Sequence, residues 1–337
     1  MYIFPNKPKI LNLLFYSTLS MFVFSCSKDD NSFPSSGEEE AIILMANTTD
    51  TIVYAMVDKS KIPIYLSIPK GCNSESLPAV VVLHGSDGMW TNHDPKSGTM
   101  SGQNNEWREL FDENCIVGAY VDSYSGRGVT TRTGKWTTAP DNFKISSQFI
   151  RPKDANAALS LLKRLHFSNG KSVVRSKDIA LLGFSDGASA VAATLYNTAT
   201  TPKDWTWSQV FDGKEYNAAT GVLPPDPKPM EGFAGGVFYY GGSGGYDYWG
   251  ANVCGINAME GNIYRTYAPI LYQIPEDGYL TEGTLCMYKV LKEKGDPVEF
   301  NLYKGVGHGF DFDHVQQSYE ARAKAMNWYR KVLHINP

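Results

Sequence analysis

Short, wholly apolar runs alternate along this chain with longer stretches in which apolar residues recur at helical spacing. The run Ala79, Val80, Val81, Val82, Leu83 contains no polar residue, as expected of a strand covered on both faces. Residues 116–121, 178–182, 236–240 and 269–274 read the same way, and residues 298–303 read as a last strand. Upstream, residues 51–57 and 62–68 are rich in β-branched and aromatic side chains around a polar break at 58–61, which predicts a hairpin. Residues 154–165 place Ala155, Ala158, Leu159, Leu162 and Leu165 at helical spacing, and 188–196, 282–294 and 315–333 are further helices. This alternation predicts an α/β protein with a mostly parallel central sheet and helices on both faces. Residues 200–231 carry Pro202, Pro224, Pro225, Pro227 and Pro229. That stretch is too long and proline-rich for an ordinary connection and predicts a cap insertion over a site.

The first residues follow a different logic. Lys7 and Lys9 precede an apolar run over residues 10–24, the layout of a signal peptide. About 15 residues is short of the roughly 20 that span a bilayer. The run ends in Val23, Phe24, Ser25, Cys26, which resembles a bacterial lipobox, and in such signals the cysteine becomes the lipidated N-terminus. Residues 27–40 are polar and cannot supply a core. Ser27, Lys28, Asp29 and Asp30 resemble the surface-export signal of Bacteroidota lipoproteins. The expected organisation is a signal peptide at 1–25, a disordered tether at 26–48 and one domain at 49–337. The expected location is the cell envelope, with the chain held in the outer membrane by a lipid anchor on Cys26.

The chain has 337 residues and a formal net charge of −4, which excludes the clustered basic footprint of a nucleic-acid binder. Beyond Cys26 lie Cys72, Cys115, Cys254 and Cys286, an even number in an oxidising compartment. Two disulfides with three connectivities are allowed. No cysteine or histidine spacing fits zinc, so neither a metal nor a cofactor is expected.

The sequence Gly183, Phe184, Ser185, Asp186, Gly187 matches G-x-S-x-G. A predicted strand runs into it and a predicted helix runs out, the setting in which a serine is forced outward at a sharp turn. Ser185 is therefore the candidate nucleophile. A serine hydroxyl needs a base. Of six histidines, His308 sits in Gly305, Val306, Gly307, His308, Gly309, a flexible turn directly after the last strand. His84 and His166 precede the serine, His314 opens the final helix and His334 lies in the polar C-terminal end. For the acid that orients the imidazole, Asp277 is the first choice and Glu276 its rival, both following strand 269–274. Two backbone N–H groups are expected to hold the oxyanion. One belongs to Asp186 and the other to Ser86 in the loop His84, Gly85, Ser86, Asp87, Gly88.

With these residues in hand, the chain resembles the dienelactone hydrolase family of the α/β-hydrolase fold. The resemblance rests on Leu83 through Gly88, on Asp122, Ser123, Tyr124, Ser125, Gly126, Arg127, Gly128, on Gly183 through Gly187, and on Gly307, His308, Gly309, Phe310, Asp311. It implies an α/β-hydrolase domain and a Ser–His–acid triad. It also implies a bridge between Cys254 and Cys286 and offers Arg127 either as a binder of substrate carboxylate or as a clamp on loop carbonyls. The sequence departs from the name-giving enzymes in its serine nucleophile, so dienelactone activity is not implied. The expected function is a serine hydrolase cleaving a small-molecule or polysaccharide-linked ester through an acyl-enzyme. The alternatives are a prolyl-oligopeptidase-type serine peptidase and an inactive binding lipoprotein.

Overall fold

The structure, a computed structural model, describes residues 40–129, 145–206, 208–211, 214–217, 228–229, 231–242 and 249–335. The signal-peptide reading of residues 1–25 and the lipidation reading of Cys26 lie outside the described residues.

The expected tether does not extend to residue 48. Ile42–Leu44 forms strand β1 and pairs in parallel with β6 (Leu165–Phe167). Three consecutive aliphatic side chains in an otherwise polar stretch, held by Ile42 N–H to Arg164 O at 2.9 Å and Ser168 N–H to Leu44 O at 2.7 Å, explain why order begins earlier. The folded unit runs from Glu40.

The central sheet has eight strands. In chain order they are β2 (Asp50–Val57), β3 (Ser60–Ser67), β4 (Leu77–Leu83), β5 (Val117–Val121), β7 (Val174–Phe184), β10 (Gly236–Tyr239), β11 (Ile270–Pro275) and β12 (Val298–Tyr303). Their spatial order is β12-β11-β10-β7-β4-β5-β3-β2. Every pair from β12 to β5 is parallel, and the β2–β3 hairpin closes one edge antiparallel. All seven residues of β4 are buried, because the sheet is covered on both faces. Val81 and Leu83 face a core shared with α2 (Arg151–Lys163), α3 (Asp186–Thr194) and α4 (Thr281–Glu293). Val80 and Val82 face the opposite core with α1 (Gly102–Glu113) and α5 (Gln316–Val332).

Chain direction reverses between β4 and β7: from β4 the chain winds to β5, then returns past β4 to β7 and on toward β12. Such a switch point opens a crevice at the carboxyl ends of parallel strands. Cys72–Cys115 and Cys254–Cys286 are disulfide-bonded. In the proline-rich stretch, β8 (Ser208–Phe211) and β9 (Lys214–Asn217) form a hairpin, while residues 207, 212–213, 218–227 and 230 lie outside the described residues. No described residue of this stretch lines the cavity discussed below, so the cap reading gains no support from it. Among the described residues no helix is long and apolar enough to cross a membrane.

Candidate active site

Strand β7 ends at Phe184 and α3 begins at Asp186, which leaves Ser185 alone at the turn. Its backbone sits at φ 51°, ψ −115°, a conformation that costs a non-glycine residue of order 1–3 kcal/mol. The neighbouring glycines are what permit it. A Cβ on Gly187 would lie 1.9 Å from Leu83 O, and one on Gly183 would lie 2.3 Å from Gly187 O. The elbow is thus pressed against the end of β4, where the loop Gly85–Gly88 begins. A Cβ on Gly85 would come 3.7 Å from Ser185 Cβ, so this loop passes directly by Ser185. Ser86 lines the same cavity as Ser185, and Asp186 is the first residue of α3.

His308 reaches the site from the loop after β12. Its Nε2 lies 2.9 Å from Ser185 Oγ across 123 residues of sequence. The rings of Tyr240 and Tyr279 pack on the imidazole, each with its centroid 4.7 Å away. Burial pushes the imidazole below the ordinary histidine value, which favours the neutral form a base requires.

The third member is not seated. His308 Nδ1 is buried and has no hydrogen-bond partner among the described residues. The Asp277 side chain is exposed, and its backbone N–H donates to Val306 O at 3.1 Å. Glu276, the rival, accepts from Gly305 N–H through Oε2 at 3.3 Å. Of the residues read as a triad, the structure brings only Ser185 and His308 into contact.

Three further groups shape the site, and of these only the structural place of His84 was legible beforehand. Asp311 is fully buried and accepts from Tyr240 Oη, from Gln103 Nε2 at 2.9 Å and from Trp107 Nε1 at 3.1 Å. Burial raises its carboxyl above the usual range, and these donors pull it back. The network holds the Tyr240 ring against His308. Second, Arg151 and Asp186 form an ion pair at 2.8 Å in which both side chains are 0% exposed. Arg151 also donates to His84 O at 2.6 Å. One guanidinium therefore ties the residue after Ser185 to the loop that carries Ser86. Third, His84 itself is fully buried, edge-on to Tyr124 at 4.4 Å, and pushed down to about 4, chiefly by burial. It is a neutral structural residue.

The carboxylate-binding reading of Arg127 is corrected. Its guanidinium is paired with Asp154 at 2.6 and 2.8 Å and donates to Ser123 O at 2.7 Å. With its donors spent on a buried acid and a loop carbonyl, it does not line the cavity. The clamp reading fits. Beside it, Asp122 accepts from Ser125 Oγ, from Trp90 Nε1 at 2.5 Å and from the N–H groups of Tyr124 and Ser125. The stretch Asp122 to Gly128, one of the four that carried the family resemblance, is thus a structural lock.

Ser185 and His308 open into a cavity of about 610 Å³. Among the described residues, no three His, Cys, Asp or Glu side chains are grouped as metal ligands.

Neither a family model nor a curated protein sequence matches the chain. Solved structures do. A dienelactone hydrolase from Klebsiella pneumoniae, named as putative in its description, superposes with a TM-score of 0.51 at 13% identity, over 84% of this chain and 99% of that one. Esterase 2 of Thermogutta terrifontis, phosphorylated by paraoxon, gives 0.51 at 14% identity over 86% and 96%. A puromycin-hydrolysing peptidase of Mycobacterium tuberculosis gives 0.54 at 15% identity, over 86% of this chain but 40% of that one. At such identities the likeness concerns the fold, and together with the strand order and the elbow it establishes that this chain has the α/β-hydrolase fold.

Proposed function

We propose that this protein is a serine hydrolase that cleaves carboxylic esters through an acyl-enzyme. The observation that carries the reading is the 2.9 Å contact between His308 Nε2 and Ser185 Oγ at a strained strand-to-helix elbow. His308, kept neutral by burial, takes the Ser185 proton as the hydroxyl attacks the ester carbonyl. The developing oxyanion is received by the backbone N–H groups of Ser86 and Asp186, with the α3 N-terminus adding a favourable field. His308 then protonates the leaving alcohol, and water releases the acyl group by the same route in reverse.

Asp277 is assigned the orienting role over Glu276. Its N–H bond to Val306 O ties it to the His308 loop, whereas the Glu276 carboxylate is already engaged by Gly305. A buried Nδ1–H without an acceptor costs about 1–3 kcal/mol, which favours a carboxylate turning onto it. The likeness to esterase 2 and to the peptidase supports a hydrolase of this mechanism. The peptidase reading predicts turnover of peptide amides, and the ester reading does not. Residues 1–26 are proposed to export the chain and anchor it through a lipid on Cys26, which a Cys26→Ala protein released into the soluble fraction would support.

The test is reaction of Ser185 with a fluorophosphonate, together with p-nitrophenyl acetate hydrolysis. Ser185→Ala is expected to lose labelling and at least about 10³-fold in kcat. Hydrolysis by Ser185→Ala at the parental rate would sink the proposal.

A further inference from the structure

Among the described residues that line the cavity, no side chain is Ala, Val, Leu, Ile or Met, and none is Lys or Arg. The apolar surface they present is aromatic, contributed by Trp90, Phe184, Tyr240, Tyr279 and Phe312. Much of the rest is hydroxyl and amide, from Thr91, Asn92, Ser101 and Gln103. The carboxylate among them is that of Asp87.

A long acyl chain is held by a sleeve of aliphatic side chains, and the described lining offers none. A substrate carboxylate or phosphate is met by an Arg or Lys fork, and the described lining offers none of these either, Arg127 being held by Asp154. The described lining suits a neutral molecule with a ring face for aromatic contact and many hydroxyls for amides, hydroxyls and a carboxylate to bind.

Two details show that the rim is built for contact. Tyr279 is 75% exposed and Phe312 40% exposed, yet both line the cavity. The Phe312 ring lies on Gly102, where a Cβ would come within 2.6 Å of it. Across the rim sequence, Asn92 and His93 are consecutive non-glycine residues at φ 53° and 56°. Such backbone strain clusters where side chains are held for a ligand.

We infer that the substrates are short-chain O-acyl esters of neutral sugars, with the sugar ring against Phe312 and Tyr279 and its hydroxyls toward Asp87 and Asn92. The inference rests on the ester-hydrolase reading above and narrows it.

The experiment compares kcat/KM of the full chain on methyl 6-O-acetylglucoside, hexyl acetate and methyl 6-O-octanoylglucoside. The acetylated sugar is expected to exceed each of the other two by about tenfold or more, the scale on which one pocket contact discriminates. Phe312→Ala is expected to raise KM for the acetylated sugar by about tenfold. Equal or better turnover of hexyl acetate or of the octanoyl ester overturns the inference. So does an unchanged KM in Phe312→Ala, or no turnover of the acetylated sugar by protein whose Ser185 still reacts with a fluorophosphonate. Absence of that labelling would instead refute the nucleophile assignment itself.

Discussion

Replacing Arg151 by Met is the perturbation that separates a structural lock from a bystander. The guanidinium and the Asp186 carboxylate are both withdrawn from water, 2.8 Å apart. Removing the cation leaves a carboxylate in the interior without its ion partner, and strands His84 O as well. Breaking a buried pair from one side costs about 3–5 kcal/mol. At roughly 2–4 °C per kcal/mol for a domain of this order of size, the expected loss in Tm is about 6–20 °C. The second effect is on rate. The same guanidinium spans the two segments that carry the Ser86 and Asp186 N–H groups, so the oxyanion site should loosen. Loss of one such donor typically costs about 10²–10³ in turnover, and partial displacement should cost about tenfold in kcat on p-nitrophenyl acetate with little change in KM. Thermal or urea denaturation of Arg151→Met, Asp186→Asn and the double variant forms the cycle. The double variant is expected to be more stable than the sum of the singles by about 2 kcal/mol, since no lone buried charge remains. Additivity within about 0.5 kcal/mol, or a full-rate Arg151→Met, would refute the reasoning.

Stability should fall in mild acid because of His84. Its folded value of about 4 lies below the ordinary 6.5, so the unfolded chain binds the proton first as pH drops, and the stabilising neutral form is lost progressively between about 6.5 and 4. At pH 5 that difference amounts to about 2 kcal/mol, and the decline measured by urea denaturation should be shallower in His84→Gln. Asp277→Asn is expected to lower kcat by about 10² or more while Glu276→Gln stays near the parental value; the reverse result would move the orienting role to Glu276. Reduction of Cys72–Cys115, which closes a separation of 43 residues, or Cys254–Cys286, which closes 32, should each cost about 4 kcal/mol by loop entropy, read as a Tm loss on adding dithiothreitol.

The meeting of Ser185 and His308 was legible because each sits in a local pattern that forces its placement. Ser185 is bracketed by glycines that a strand-to-helix turn demands, and His308 follows the last strand in a glycine-rich loop. The strands were legible for a related reason: a sheet covered on both faces makes β4 wholly apolar. Helix α1 escaped because its face is narrow, with Trp107 and Phe111 buried beside Asn104, a polar residue in an apolar position. The Asp311 network escaped because its donors Gln103 and Trp107 lie 208 and 204 residues away, and no local pattern announces such a meeting. Arg151 and Asp186, 35 residues apart, were hidden likewise. Strands β1 and β6, three residues each, carry too little periodicity to register.

The pairing of β1 with β6 fixes where the described chain enters the domain. β6 leads through a tight return into the start of β7, and Leu77 N–H at the start of β4 bonds to Val173 O, so the chain enters at the amino edge of the parallel strands. Ser185 stands at the other end of the eleven-residue β7, about 36 Å away at roughly 3.3 Å per residue. The described chain therefore begins at the end of the sheet away from the cavity into which Ser185 and His308 open.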